Sequence, residues 1–492
     1  MVTRRALLQA LGLLAVATPL LQACGGQASA PTTSSAAQSS AVSAAPSTAS
    51  ATVATSATSA ASTSSSASTS AAPSSASAAT SAAPTPTPAP ASQPGRSVSM
   101  SIGTYAGAGD EWQRYWAKQW AAKHPEVTLR IDDIVYGDMA QKQLTELAAG
   151  DMQDVVFSGI KWFPYSVSKG AFRSIDDYVK QQDPGMSDFF QTALTSASFE
   201  GKLYALPYLL HPGNPALFAY NKDLLTRRGV KEPTDDWTVD DFINIGKATT
   251  DIGQKTYGTN YWPSTYYDFC SLARTWGGDD LSADGKQFTF NTDSKSQDAA
   301  QWAVNLRVIN HVAPGRQESN GLSFTAGQFA MVESGSYNVL VLQKQVGAKF
   351  EVGWALFPKG PTGLRGYQGF VECFSIFSGS KQPELAYDLI QMETSKDAGV
   401  WAVLNSQYQP SARKSVWADP QIQKITPVFQ RVLNWMSSVN GPFPMPYNLR
   451  FTDVENAWEK AIPPLFYGEV AFNTGMQQIQ QACDAVVQMP RT

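Results

Sequence analysis

The side chains best suited to chemistry here are aromatic: the chain carries 13 Trp and 18 Tyr, many beside glycine or proline instead of on a helical repeat. A flat ring next to a turn can stack on the apolar face of a polar ring compound, while nearby carboxyl, amide and hydroxyl groups engage its hydroxyls. Candidates of this kind are Tyr105 after a strand-like run, Tyr208 after Pro207, and Trp262 within Asn260-Tyr261-Trp262-Pro263. Trp276 precedes Gly277-Gly278, Tyr337 follows Gly335-Ser336, and Tyr367 lies in the loop Gly366-Tyr367-Gln368-Gly369. Glu372 leads an apolar run and so needs a partner that a bound solute could supply. Ser158-Gly159 closes a short apolar strand, where open α/β sheets place ligands. Arg413 completes the set, with an interlobe ion pair as its other role. Trp112, Trp116, Trp120 and Trp302 keep helical spacing and belong to packing.

Other chemistries find little support. The carboxylate pairs Asp132-Asp133, Asp176-Asp177, Asp240-Asp241 and Asp279-Asp280 are adjacent, so each pair points to different sides of its element and none is an acid/base couple. His124, His211 and His311 are far apart, which leaves no metal spacing. Neither a Gly-x-Ser-x-Gly elbow nor a phosphate or dinucleotide loop occurs in a strand-to-helix context, and no cofactor is implied. Net charge is -4 with basic residues dispersed, which argues against nucleic acid. Behind Cys24, the cysteines Cys270, Cys373 and Cys483 leave at least one unpaired, and the sequence does not choose a bridge among them.

Elements that position these residues begin only after a long preamble. Arg4-Arg5 followed by a modestly apolar run to Leu21 reads as a signal peptide over 1–23, with the Thr-Arg-Arg-x-Leu-Leu pattern of a twin-arginine signal. Leu21-Gln22-Ala23-Cys24-Gly25 resembles a lipobox, which makes Cys24 the expected lipidation site and the membrane a partner through acyl chains. Residues 24–96 are almost all Ala, Ser, Thr or Pro, with nothing large to bury, and should form a disordered tether. A coil of about 70 residues reaches roughly 45 to 50 Å. Val98, Met100 and Ile102 then alternate as a strand, Asp110 can cap a helix, and a β-α-β-α-β order follows through Val155-Val156-Phe157, the mark of a helix-covered parallel sheet. Pro207, Pro212 and Pro215 should interrupt regular structure where the chain leaves this unit.

Gly201-Lys202-Leu203-Tyr204-Ala205-Leu206-Pro207, then Leu217 to Leu225 with Tyr220-Asn221-Lys222-Asp223 at its centre, resembles the middle of family 1 extracellular solute-binding proteins, the maltose-binding-protein-like components of ABC importers. Trp237-Thr238-Val239-Asp240-Asp241-Phe242, Phe324 to Met331, Gly335-Ser336-Tyr337 and Gly353 to Pro361 are similar to further motifs of that family, in the same order. Gln153-Asp154 departs from the usual Pro-Asp, and the loop at Gly366 to Gly369 matches loosely.

The resemblance implies an α/β, type II periplasmic-binding-protein fold: two α/β lobes with an interlobe cleft and multiple hinge crossovers near Pro212, Gly369 and Arg413. Lobe 1 would comprise 97–212 plus 373–412 and lobe 2 would comprise 213–372 plus 413–492. It also implies a monomeric, non-enzymatic solute-binding lipoprotein that traps a small polar ligand, a mono- or oligosaccharide first, and hands it to ABC importer permease subunits. A polyamine, phosphodiester or peptide ligand on the same fold stays open on the residues alone, as does a secreted carbohydrate-active enzyme.

Overall fold

The structure, a computed structural model, describes residues 98–106, 111–212, 215–282, 285–406, 410–438, 441–444 and 448–488. The expected signal peptide, Cys24, the tether and the Asp110 cap lie outside them. Strands of two sheets carry the fold: β1 (Val98–Ala106), β2 (Val127–Val135), β3 (Val155–Gly159), β4 (Ala205–Pro212), β5 (Leu217–Asn221), β6 (Tyr257–Thr259), β7 (Phe329–Ser334), β8 (Val352–Leu356) and β9 (Gly369–Ile376).

The first sheet has the order β2-β1-β3-β9-β4. β1 pairs in parallel with β2 and β3, and β9 is antiparallel to both β3 and β4, so four strands point one way and β9 returns between them. α1 (Glu111–Lys123) buries Trp112, Gln113, Ala117 and Trp120. Trp116 is half-buried, whereas Tyr115 turns outward and stacks on Trp401 at 4.4 Å and 9°. α2 (Met139–Ala149) ends at Gly150 with φ 69°, a left-handed cap that favours glycine. Helices Pro383–Glu393 and Lys396–Ser406 pack back on α1 and close this lobe.

β4 runs unbroken through Pro207 and Pro212, contrary to the expectation that these prolines interrupt regular structure. Two features permit it: β4 is an edge strand, and its ladder with β9 slips between Glu372 and Cys373, opposite Leu209 and Pro207. A missing N–H is tolerated at edges and bulges.

The second sheet has the order β8-β5-β7-β6, with β6 parallel to β7 and the other pairs antiparallel. Its core gathers Phe218, Trp237, Phe242, Tyr261 and Phe357. Thr238 and Asp241 form a capping box at the start of the helix Val239–Thr249, and Thr265 and Asp268 form another at the start of α3 (Tyr266–Thr275). α3 packs against α4 (Phe451–Ala461) and the helix Ser294–Val308.

β5 follows β4 in the chain, which returns from β8 to β9 through 357–368. Residues 369–372, expected in the second lobe, are bonded into the first sheet against Leu209 to Pro212. The Arg413 side chain is not free to pair across the lobes. It lies inside the first lobe, donating to the carbonyls of Thr394, Pro184 and Gly185 and to Asp188 at 2.5, 2.7, 3.4 and 3.4 Å. A later segment, Gly441 to Pro444, runs beside the second crossover: Phe443 N–H donates to Tyr367 O, and Gly369 N–H donates to Phe443 O. Cys270, Cys373 and Cys483 are buried and unpaired.

Candidate functional site

Strand direction decides where a site can lie. β1, β2, β3 and β4 all end on one edge of the first sheet, which is also the edge where β9 begins. In the second sheet β6 and β7 end where β5 begins, just after the first crossover. These two edges face one another, and ligands of open α/β sheets bind at such strand ends.

Rings from the two lobes meet across this junction. His211, at the end of β4, meets Tyr337 edge-on at 5.7 Å and Phe370 at 4.9 Å. Phe370 also meets the edge of Tyr267 at 5.7 Å. Tyr337 occupies the short turn Ser336–Asn338 after β7 and is half-buried. Trp262, in the loop after β6, is half-buried against Tyr467 at 5.2 Å, and Arg307 and Arg316 lie over that tyrosine.

Tyr367 lies in the segment that joins β8 to β9. Its hydroxyl donates to His211 O, sits 2.9 Å from the Tyr267 hydroxyl, and its ring packs on Trp435. Tyr267 in turn donates to Gln368 O at 3.0 Å. Second lobe, crossover and first lobe are thus joined by hydroxyl groups.

The remaining candidates support the walls from behind. Tyr105 is buried against Tyr136 and Phe157. Tyr208 packs on Trp112, Phe157 and Phe374 and donates to Glu372. Burial lifts the Glu372 carboxyl to about 7, and the Tyr208 hydrogen bond opposes that rise. Ser158 donates to Gln143 at 3.4 Å. A Cβ at Gly159 would stand 2.7 Å from the Trp162 ring, so glycine is what lets that ring lie over the strand end. Trp276 caps the far end of α3 and packs on Trp302, roughly 13–15 Å of helix away from the cleft end of α3.

Several residues at the junction did not stand out in the sequence. Lys161, just past β3, places its ammonium 2.8 Å from both carboxylate oxygens of Glu455 on α4. Asp268 accepts from Thr265 and Ser264 and has Lys161 nearby; burial nevertheless raises its carboxyl. Burial also raises Glu333, and the charge of Asp268 raises it further. Glu333 Oε2, the whole side-chain amide of Gln368 and Nδ1 of His211 are buried and have no hydrogen-bond partner among the described residues. Burial holds the His211 imidazole down at about 3, so it is neutral near pH 7 and offers one donor and one acceptor nitrogen. Buried polar atoms without protein partners are uncommon and call for an explanation. Position in a loop was a usable signal for Lys161; Glu455 in mid-helix offered none.

Among the described residues no group of three or more His, Cys, Asp or Glu could hold a metal ion, and no helix is long and apolar enough to cross a membrane.

A family model described as bacterial extracellular solute-binding protein matches residues 103–400. A binding protein of Brucella abortus is 24% identical over 312 residues, which is 61% of this chain and 73% of that one. An ABC substrate-binding protein from Listeria monocytogenes, solved in complex with cycloalternan, superposes with a TM-score of 0.67 at 20% identity over 79% of this chain and 98% of its own. The sugar-binding protein MalE from Xanthomonas citri gives a TM-score of 0.69 at 19% identity over 79% and 97%. At these identities the structural likeness is one of fold.

Proposed function

Since the chain belongs to the bacterial extracellular solute-binding protein family, we propose that it captures a carbohydrate between its lobes and delivers it to the permease subunits of an ABC importer. The observation that carries this reading is the meeting of rings from both lobes beside the second crossover. Tyr337, His211 and Phe370 gather at the facing strand ends, and buried Glu333 Oε2 and the Gln368 amide have no partner among the described residues. Flat rings with hydrogen-bonding groups of both polarities suit a polyhydroxylated ring. The Listeria protein of the same fold was solved with a cyclic saccharide.

In this reading Tyr337 and Trp262 stack on solute, and Glu333 and Gln368 bond its hydroxyls. Tyr105, Ser158, Gly159, Tyr208 and Glu372 shape the first wall, Tyr367 belongs to the hinge, and Trp276 and Arg413 hold structure. Cys24 carries the lipid anchor after export on a twin-arginine signal, and 24–96 tether a monomer above the membrane. Contacts to both lobes exist when they are closed, so solute favours closure.

Calorimetric titration of the purified protein with mono-, di- and oligosaccharides tests the solute class. A saturable heat with one saccharide, weakened at least tenfold by Tyr337→Ala, is the expected result; no heat with any saccharide overturns it. The acids Asp268, Glu455 and Glu459 around Lys161 favour, as a second reading, a cationic solute such as a polyamine, and spermidine in the same titration decides that. Loss of radiolabelled palmitate on Cys24→Ala tests the anchor.

A further inference from the structure

Lys161 and Glu455 lie far apart in sequence and in different lobes: one in the loop after β3, the other on α4. Their side chains are 21% and 11% exposed. Among the described residues no other ion pair joins the first lobe's strand-end loops to the second lobe.

Both partners are held in place. On the first side, the Trp162 ring lies over Gly159 and its indole N–H donates to Gln143 at 3.0 Å, which stiffens the loop that aims Lys161. The ammonium also lies 5.9 Å from the centre of the Phe370 ring. On the second side, Glu455 is fixed on a helix whose neighbouring Val454 and Trp458 are fully buried. The field around the ammonium is acidic, since Asp268 and Glu459 also feel its charge.

Exposed ion pairs contribute little because water screens them and free side chains must be ordered. A half-buried, charge-assisted bond between preset groups is screened less than an exposed pair and costs less ordering. Opening the lobes must break it, because the partners travel with different lobes. The bond is made wholly by protein atoms.

We propose that Lys161 and Glu455 form a latch across the cleft, so that the solute-free protein samples the closed arrangement and capture starts from a partly closed cleft. This rests on the two-lobe solute-binding reading but not on the identity of the solute. It makes closure salt-dependent, because screening weakens a pair that water can reach.

Hydrogen exchange read by mass spectrometry on the full-length protein, with no solute added, tests the latch. Peptides covering residues 209–212 and 334–338 report opening, and peptides from residues 119–123 and 302–306 report folding. Roughly tenfold faster exchange in the cleft peptides is expected for Lys161→Met and for Glu455→Gln, as for loss of a charged hydrogen bond, with the folding peptides unchanged. Wild type in 1 M salt should move the same way. The exchanged pair, Lys161→Glu with Glu455→Lys, should restore slow exchange. Equal cleft exchange in wild type and both single variants overturns the latch, as does a charge-exchanged protein that opens like the single variants. Failure of every saccharide to bind would sink the proposed solute class and leave these exchange rates untouched.

Discussion

Glu372 shows how one residue can be half legible. An acid at the head of an apolar strand announces a buried carboxyl, but the sequence cannot say that its partner is Tyr208 on the neighbouring strand, because the bulge after Glu372 decides which face each side chain takes. Its burial has a measurable consequence. The folded carboxyl titrates near 7 against an ordinary 4.5, so between those values the unfolded chain loses a proton that the folded chain keeps. Stability therefore falls as pH rises through that window, by up to about 1.4 kcal/mol per pH unit. Buried His211 acts in the opposite sense, withdrawing stability as pH drops below its ordinary 6.5 toward 3, and it contributes equally to any Glu372 variant. Urea denaturation at pH 5 and pH 7 should show Glu372→Gln gaining on wild type at the higher pH; a constant difference would mean that Glu372 is ionised in the fold. Gly159 offers a steric test: Gly159→Ala pushes a methyl into the Trp162 ring, which should lower stability by about 1–3 kcal/mol in the same assay.

At the level of elements, local signals were reliable wherever the structure itself is local. Alternation located β1, and the family-like run Trp237 to Phe242 holds a helix start that the structure closes with a capping box. What could not be read is what depends on distant partners. β9 inserts between β3 and β4 although long stretches of chain separate them, and no periodicity encodes that neighbourhood. The prolines of β4 were misjudged for the same reason, since edge position and the slipped ladder are properties of the assembled sheet. Arg413 looked free to pair across the lobes and is instead a clamp on the segment Pro184 to Asp188, its guanidinium also lying 4.0 Å above the Phe189 ring. Arg413→Ala should therefore cost about 2–4 kcal/mol of stability, because three carbonyls and a carboxylate lose their donor together. Solute affinity measured below the melting transition should stay within about twofold of wild type. A large loss of affinity at unchanged stability would return Arg413 to the cleft.

For the whole molecule, function depends on two lobes that are stiff within themselves and joined by few strands, because hinge motion concentrates its φ/ψ change in short connectors. Residues 357–368 run between the two sheets, and the segment 441–444 is bonded to them through Phe443. Tyr367 is where lobe position becomes chemistry, since its hydroxyl lies between Tyr267 of the second lobe and the His211 carbonyl of the first. Tyr367→Phe keeps the ring on Trp435 and removes that link. If the hydroxyl chain helps set the closed arrangement, calorimetry should give a severalfold weaker Kd, with a melting temperature lowered in proportion to about 1 kcal/mol, the worth of an ordinary hydrogen bond. Solute at a hundredfold excess over Kd should still add about 2.7 kcal/mol to the variant's stability, because linkage depends on saturation and not on the route to closure. A variant with a lowered melting temperature and an unchanged Kd would make Tyr367 a packing residue and shift the control of closure to the other side of the cleft.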